Sequence, residues 1–310
     1  MQPALDIRYT NDHREAIRLR DLGYEPLECA YGQHGSVLGP LELDHHGEES
    51  HREGVALRAC RDLYGARAHD PRFVVTGTPD ADATLAIVAL TALVPRDRIP
   101  PVFYALVDEH DTDPIGKDLL ATPEGEQLAW FNQRPGLHNT EQGFRAAVEQ
   151  MRRLLTDGID DTEREQVRRN DLARRRKAIE GVVALYDRAG NRLDRPEDFS
   201  ELPVGRGALA LAGKPRVAVV QSAVWGFDVW YRTAPVVVSY AARIAKVTVG
   251  CPDLDTAIRL FGPDGLMHAW RALGKGWGGR ETIGGSPRGV RLGQSEADRT
   301  AIALLDLLMA

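Results

Sequence analysis

Short apolar runs alternate with amphipathic segments through the first third of the chain. The apolar runs have the length and composition of β-strands, and several of the intervening segments have the polar–apolar spacing of helices. The predicted strands are residues 5–9, 26–31, 37–43, 73–75 and 102–107, and the predicted helices are residues 11–20, 50–64 and 83–93. This alternation predicts an α/β domain, with a mostly parallel sheet and helices on both faces.

The rest of the chain has a different pattern. A charged helical stretch comes first, at residues 140–186, and apolar runs with short connections follow it. The predicted strands here are 216–220, 235–240 and 245–249, and the predicted helices are 255–261, 265–273 and 295–309. Grouped strands with few helices predict a smaller C-terminal α+β domain with a mixed sheet. The predicted division is a domain at 1–139, a helical connector at 140–204 and a second domain at 205–310.

The arginine-rich part of the connector, residues 167–177, has two interpretations. The favoured one is a solvated helix that carries charges of both signs. The alternative places a few of these arginines over a substrate cleft, where they would face phosphate.

Polar side chains follow three of the predicted strands. Because ligands bind outside the carboxyl ends of the strands in open α/β sheets, we expect these side chains to share one site. Taken singly, each cluster could be a solvated turn or a helix cap. The candidate metal ligands are Asp44, His45 and His46 after the strand at 37–43, Asp80 and Asp82 after 73–75, and Asp108 and Asp111 after 102–107.

The chemistry of these side chains indicates which metals would bind. Carboxylates with a minority of histidine suit Mn²⁺ or Mg²⁺ better than a metal that prefers thiolates. Two ions about 3.5–4 Å apart are a standard arrangement for hydrolysing phosphate esters. The clusters contain enough ligands for two ions.

A glycine-rich segment at residues 276–288 is the second chemical element of the sequence. Glycine lets the backbone approach a ligand closely and leaves amides free to donate. Anion binding is the favoured interpretation, and a flexible surface loop is the alternative. The candidate substrate-binding residues are Gly278, Gly279, Arg280, Gly284, Gly285, Ser286 and Arg288.

Two of these motifs resemble those of a known family. The stretches Leu43-Asp44-His45-His46-Gly47 and Thr78-Pro79-Asp80-Ala81-Asp82-Ala83 resemble the signatures of the DHH phosphoesterases. Residues 276–286 are similar to the Gly-Gly-Gly-His-x-x-Ala-Ala-Gly motif of the associated DHHA1 domain. The resemblance implies a two-domain hydrolase with a binuclear, usually manganese, centre. The family includes phosphodiesterases of nucleotides and short RNA, phosphatases, polyphosphatases and single-strand exonucleases.

The sequence departs from the family pattern in two places. The family's Asp-x-Asp motif normally precedes Asp-His-His, whereas Asp80 and Asp82 come after it. Asp12 and His13, which follow the first strand, would then be a divergent first motif, and Asp12 a further candidate ligand. At the second place Arg280 stands where the family has histidine, and its guanidinium could hold a phosphate or carboxylate by a bidentate fork.

These observations predict a metal-dependent phosphohydrolase with its site in a cleft between domains. The substrates would be small nucleotides, short oligonucleotides or another phosphorylated metabolite, attacked by water that two Mn²⁺ ions activate, with Mg²⁺ as the alternative metal. The candidate catalytic residues are His45, His46 and Asp80; either histidine could polarise the phosphoryl group or protonate the leaving oxygen. Two alternatives remain open: an inactive nucleotide-binding regulatory protein, and a metal-dependent hydrolase of a carboxylated metabolite.

The composition of the chain limits the kinds of molecule that it is expected to bind. The net charge of −6 argues against a general binder of long nucleic acid. Cys29, Cys60 and Cys251 form no Cys-x-x-Cys pair, and free thiols in a reducing compartment are expected. With neither a secretory signal nor a membrane-length apolar run in the sequence, we expect a cytoplasmic protein that does not bind membranes and could form a homodimer.

Overall fold

The computed structural model describes residues 4–31, 34–46, 53–112, 118–134, 138–187, 189–193, 216–287 and 290–308. They form two compact units. The first contains the described residues up to 112 and those from 119 to 168, and the second contains Asp118 and the described residues from 169 onward.

The first unit is built on a three-stranded parallel sheet. Its strands are β1 (Asp6–Tyr9), β2 (Glu25–Leu27) and β3 (Arg72–Val75), in the order β1-β3-β2. Successive residues of a strand face opposite sides of the sheet. Val74 accordingly packs with the helix that follows β1, whereas Phe73 and Val75 belong to the larger core on the other face. The predicted α/β character and parallel sheet are confirmed.

Helices account for most of the first unit. One of them, Ala81–Leu90, is buried at all ten residues, which its sequence permits because only Asp82 and Thr84 are polar. Short 3₁₀ turns occur at Arg96–Arg98 and Leu119–Ala121. The helices are α1 (His13–Asp21), α2 (Val55–Arg61), α3 (Ala81–Leu90), α4 (Pro101–Thr112), α5 (Pro123–Asn132), α6 (Glu141–Asp157) and α7 (Asp161–Glu180), the last of which continues into the second unit.

The predicted strand at 37–43 does not form. Pro40 has no N–H to donate to a ladder, and Glu42 has a φ of +50°, which is incompatible with extended backbone. Two single-residue bridges occur instead, Ser36 with Ala30 and Leu43 with Leu27, the second of them parallel. Because Leu43 pairs with Leu27, the last residue of β2, the next residue, Asp44, still lies beside the carboxyl end of β2.

The predicted strand at 102–107 was wrong, because these residues lie inside helix α4. The buried residues of α4 are Phe103 and Val107, four positions apart, as on one face of a helix. A six-residue apolar run does not by itself distinguish a strand from a buried helix. Asp108 and Asp111 therefore come from the last turns of a helix and not from a strand end.

The second unit contains a seven-stranded mixed sheet, in agreement with the prediction. Among the strands that the structure describes in this unit, β6 and β7 pair in parallel and the other pairings are antiparallel. The order is β5-β4-β6-β7-β8-β10-β9. The strands are β4 (Val182–Tyr186), β5 (Arg192–Leu193), β6 (Val217–Gln221), β7 (Val236–Ala241), β8 (Lys246–Gly250), β9 (Gly278–Gly279) and β10 (Ile283–Gly285), and the helices are α8 (Phe227–Trp230), α9 (Leu254–Phe261), α10 (Leu266–Leu273) and α11 (Gln294–Leu305).

The predicted connector differs from the structure. Helix α6 contributes Phe144, Val148 and Met151 to the core of the first unit, and β4 lies inside the second sheet. Four arginines of α7, three of them in this run, have carboxylate partners, which favours the structural interpretation. Arg164 and Arg168 bond Glu126, Arg174 bonds Asp171 and Asp228, and Arg175 pairs with Asp118 and Asp171.

Two further observations concern the whole described chain. Its helices all fall short of the length or the apolar character that crossing a bilayer requires. The cysteines Cys29, Cys60 and Cys251 are buried free thiols.

Candidate metal centre

The ring of His45 lies between two carboxylates of the first unit. Its Nε2 atom is 3.0 Å from Oε1 of Glu28 and 3.0 Å from Oδ2 of Asp111. Two ligand atoms that are each about 2.1 Å from an octahedral ion, and at right angles to one another, are about 3.0 Å apart. Each of the two distances from Nε2 of His45 is thus that of neighbouring ligands in a coordination sphere.

Two overlapping groups of side chains could hold a metal ion. The first contains Glu28, His45, Asp82 and Asp111, and the second contains Glu28, His45 and His46. Within each group, one candidate ligand atom per residue lies within 4.8 Å of all the others. Three carboxylates with one imidazole are the ligand set that suits a hard or borderline divalent ion.

The carboxylate oxygens of the first group fit a cation. Oε1 of Glu28 and Oδ2 of Asp111 are buried, and no backbone amide donates to either within the part of the chain that the structure describes; both face Nε2 of His45. Buried carboxylate oxygens without donors are destabilising unless a cation or a proton compensates them. Their position beside the His45 nitrogen makes a divalent ion the natural compensation.

Elements at the carboxyl edge of the sheet bring these residues together. Glu28 directly follows β2, and its N–H donates to the carbonyl of Leu43 at 2.8 Å. Arg58 of α2 then donates to the carbonyls of Leu41 and Glu42, at 3.1 and 2.7 Å. These bonds hold the segment that leads into Asp44 and His45, which has no strand of its own.

Glu28 was missed by the sequence-based prediction. Residues 26–31 were interpreted as one strand, which would place Glu28 in its middle, but β2 ends at Leu27. Glu28 has a φ of +53°, a left-handed conformation that non-glycine residues rarely adopt. Such strain concentrates at functional sites. The available signal was a carboxylate directly after the apolar pair Pro26-Leu27, the same pattern as at the other clusters.

Asp82 connects the group to helix α2. It is 1% exposed, and its Oδ2 and Oδ1 accept the N–H groups of Val55 and Ala56, both at 2.9 Å. Gly54 is required beside it, because a Cβ at that position would lie 2.7 Å from Oδ1 of Asp82. Each carboxylate oxygen keeps a further lone pair for a cation.

Three other predicted ligands bind backbone amides and belong to neither group. Oδ1 of Asp108 accepts the N–H of Gly54 at 2.5 Å. Asp80 is the N-cap of α3, where its Oδ1 accepts the N–H of Ala83 at 3.0 Å. Asp12 is an exposed N-cap of α1 and accepts from Arg14 and Glu15. The structure therefore gives Asp12 a capping role, and metal binding by Asp12 stays a prediction.

Asp44 binds His46 and is not a member of either group. It is fully buried, and its Oδ1 accepts from both the backbone N and Nδ1 of His46. Ser36 donates to the carbonyl of His46 at 2.9 Å, which fixes the residue from the other side. Asp44 thus orients a candidate ligand, as carboxylates commonly do for metal-binding histidines.

The electrostatics of the cluster favour a bound cation. Burial raises the pKa of Asp80 and of Asp82 well above the usual value, and the charges of Glu28 and Asp111 raise both further. Burial lowers the pKa of His45, but Asp111 and Glu28 outweigh it and raise the pKa to about 11. Without a metal, a proton on His45 balances the surrounding carboxylates, and a divalent cation would replace it.

The glycine-rich segment forms a hairpin in the second unit. Gly279 pairs with Gly284, and a Cβ at Gly279 would lie 2.3 Å from the Cα of Gly284, so close strand pairing alone requires glycine here. Gly278 and Gly285 form the neighbouring pair. The Oγ of Ser286 accepts the N–H of Val247 at 3.2 Å. The backbone N–H of Arg280 donates to the carbonyl of Ile283 at 2.7 Å.

The structure therefore gives most of this segment a role in the sheet, and the predicted contact with an anion stays a prediction. Arg288 lies outside the described residues.

Comparisons of this chain with family models, with curated proteins and with solved structures give no match. The resemblance to the DHH phosphoesterases therefore rests on the motifs quoted above.

Proposed function

We propose that this protein is a metal-dependent phosphohydrolase that acts on small nucleotides, short oligonucleotides or another phosphorylated metabolite. The observation that carries the proposal is the convergence of Glu28, His45, Asp82 and Asp111 on one position at the carboxyl edge of a parallel sheet. That edge is where open α/β sheets bind their ligands. The Asp-His-His and Asp-x-Asp motifs support the same class of reaction.

The proposed cofactor is a pair of Mn²⁺ ions, with Mg²⁺ as the alternative. Such ions, when bound, supply a nucleophilic water at neutral pH and neutralise charge that develops on the phosphoryl oxygens. Glu28 and His45 occur in both candidate groups. The carboxylate of Glu28, with two oxygens, would bind one or both ions, whereas the imidazole nitrogen of His45 would bind one. Asp82 and Asp111 complete one group, and His46 completes the other.

The remaining residues of the centre would orient the metal ligands or bind the substrate. Asp44 keeps a proton on Nδ1 of His46, so that Nε2 presents a lone pair. Asp82 and Asp108 fix the start of α2 through its amides. Asp80 caps α3 beside the group, where burial and the charges of Glu28 and Asp111 raise its pKa, and its catalytic role stays a prediction. Arg280 and the glycine amides are the proposed contacts for a distal anionic group of the substrate.

Metal binding and turnover test the proposal separately. The purified chain should bind Mn²⁺ in an isothermal titration, and EDTA should remove it. A Mn²⁺-supplemented screen of nucleotides, dinucleotides and polyphosphate should release inorganic phosphate or mononucleotide. A chain that binds no divalent ion, or that binds one and hydrolyses none of these esters, would contradict the proposal.

Two glutamates give a matched pair of variants. Glu28→Gln keeps the shape of the side chain but removes the anionic ligand, and it should lower Mn²⁺ affinity and abolish turnover. Glu42→Gln is the control, because Glu42 has a similar left-handed backbone, lies close by in sequence and belongs to neither metal group. Equal loss in both variants would show that the effect does not come from the metal centre.

A further inference from the structure

Three aromatic rings form a ladder at the same edge of the sheet. The ring of His13 lies edge-on to that of Tyr31, with centroids 5.6 Å apart, and stacks on that of His34, at 5.3 Å with 24° between the planes. Tyr31 and His13 are half-buried, whereas His34 at the end of the ladder is exposed. The ladder therefore presents an aromatic ring to solvent on a packed support.

The ladder is attached to the ends of the strands. The hydroxyl of Tyr31 donates to the carbonyl of Thr10, just after β1, at 3.2 Å. Thr76, just after β3, donates to Oδ1 of Asn11 at 3.1 Å. These contacts place the rings beside the carboxyl ends of β1 and β3, at the edge of the sheet where Glu28 follows β2.

The ladder is also tied to the metal-binding residues. Ser36 pairs with Ala30 and donates its Oγ to the carbonyl of His46 at 2.9 Å. His34 is two residues before Ser36, and its N–H donates to the carbonyl of Tyr31 at 3.3 Å. Two residues span at most about 7 Å. An extended nucleotide with its phosphate at the metal centre could therefore bring its base close to the ring of His34.

We propose that the exposed ring of His34, supported by His13, is the stacking platform for the base of a nucleotide substrate. This inference rests on the proposed function and specifies its substrate as a nucleotide. Aromatic side chains bind bases by stacking with little regard to sequence, because every base has a π-face. A phosphate between the two imidazoles fits less well, because the carboxylate of Asp12 already binds the amides at the start of α1, next to His13.

A pair of probes isolates the contribution of the base. Adenosine 5′-monophosphate and ribose 5-phosphate share the sugar and the phosphate and differ in the base. Isothermal titration of both into the Mn²⁺-loaded protein should give tighter binding of the adenosine monophosphate. His34→Ala should weaken that binding about tenfold, as the loss of one stacking contact would, and leave ribose 5-phosphate unchanged.

Further variants separate stacking from charge. His34→Phe keeps an aromatic face and should retain most of the affinity for adenosine monophosphate, whereas a site that depends on imidazole charge would lose it. His69→Ala, which removes an exposed histidine of the same unit, is the control and should change nothing.

The outcomes also distinguish the two proposals. Suppose that the wild-type protein hydrolyses phosphate esters. If His34→Ala then binds both probes normally, or if His34→Phe loses as much affinity for adenosine monophosphate as His34→Ala does, the stacking platform is wrong. The proposed phosphohydrolase function would still be supported. If the wild-type protein binds neither probe and hydrolyses nothing, both fall.

Discussion

Oδ1 of Asp44 accepts two hydrogen bonds from one residue, the backbone N–H of His46 at 2.8 Å and its Nδ1 at 2.9 Å. Burial raises the pKa of Asp44, but the bonds from His46 outweigh burial and the pKa lies below its usual value. An ionised carboxylate requires the imidazole proton to be on Nδ1. The first residue of the Asp-His-His motif therefore sets the tautomer of the third.

Replacement of the Asp44 carboxylate should show whether Asp44 orients His46 or binds the metal itself. In Asp44→Asn the amide no longer favours the Nδ1–H tautomer, and we expect Mn²⁺ affinity or turnover to fall by about 10- to 100-fold, as for other residues that support a ligand. Glu28→Gln, which removes a proposed ligand, should lose more. Titration with Mn²⁺ and single-turnover rates measure both. Greater loss in Asp44→Asn than in Glu28→Gln would make Asp44 itself a ligand.

The backbone strain at Glu28 predicts a trade between stability and metal binding. In Glu28→Gly, relief of the left-handed conformation, about 1–2 kcal/mol, opposes the extra freedom of glycine in the unfolded chain, about 0.5–1 kcal/mol. The free energy of unfolding, measured with urea in the presence of EDTA, should therefore differ from the wild-type value by no more than about 1 kcal/mol. The stabilisation that Mn²⁺ gives the wild type should disappear in this variant. Ala92→Gly, at a φ of +50° in the same unit, should leave Mn²⁺ stabilisation intact. Persistent Mn²⁺ stabilisation in Glu28→Gly would remove Glu28 from the centre.

Gly54 should tolerate no side chain. A Cβ there would lie 2.7 Å from Oδ1 of Asp82 and 3.0 Å from Oδ1 of Asp108, and both carboxylates are held by amides of the same segment. Gly54→Ala should destabilise the first unit by about 1–3 kcal/mol, as overpacking does, and weaken Mn²⁺ binding. Thermal unfolding with and without Mn²⁺ tests this against Gly293→Ala, where the nearest atom would be 3.9 Å away. Wild-type behaviour of Gly54→Ala would mean that the carboxylates are not fixed as described.

The buried carboxyl of Glu25 predicts a pH dependence of stability. Burial raises the pKa of Glu25, although the N–H of Leu41 and the charge of Arg67 lower it. A raised pKa means that the folded protein binds the proton more tightly than the unfolded chain does. Its stabilising contribution is complete below the unfolded pKa, about 4.3, and is lost as the pH rises through the folded pKa.

Glu25→Gln should therefore be more stable than the wild type at pH 7, with the advantage vanishing toward pH 4. Urea unfolding at a series of pH values measures it, and Glu165→Gln, at an exposed position, is the control. If the wild type instead became more stable relative to Glu25→Gln as the pH rises from 4 to 7, the pKa of Glu25 would be lowered by folding and not raised.

Arg280 can be tested by the geometry that its side chain offers. If it binds an anionic group of the substrate through two parallel hydrogen bonds, Arg280→Lys should lower kcat/KM by about ten- to a hundredfold, mainly through KM. Arg291→Lys, at an exposed position of the same unit, is the control. Unchanged kinetics in Arg280→Lys would remove the side chain of Arg280 from the substrate site.

The sequence predicted the sheet and the residues that follow its best-defined strands. Asp82, a member of a candidate metal group, was found because β3 is a buried apolar run that ends in a turn before a helix, and both local patterns agree with the fold. His45 was found from its motif. Glu28 was not, because a strand of three residues is too short to show where it ends.

Other differences between the prediction and the structure have different physical origins. Helix α4 was predicted as a strand, because a short apolar run carries too little periodicity to separate the two. Asp108 and Asp12 accept hydrogen bonds from backbone amides, which depends on tertiary contacts or cap geometry that a sequence does not contain. Their role as metal ligands stays a prediction. Helix α1 also begins two residues later than the predicted helix at 11–20, with Asp12 as its N-cap.

Asp82 belongs to the candidate metal centre and also stabilises the start of α2. This double role affects which residues of diverged relatives would indicate that the activity has been kept. A lineage that abandoned the reaction could lose Glu28 readily, because glycine or asparagine adopts its left-handed backbone with less strain. The same lineage would keep Asp82 under selection, since its carboxylate satisfies two buried amides of α2. Retention of the aspartate would then say little about activity in a descendant. A glutamate preserved at the strained position would be the more faithful marker of a working enzyme.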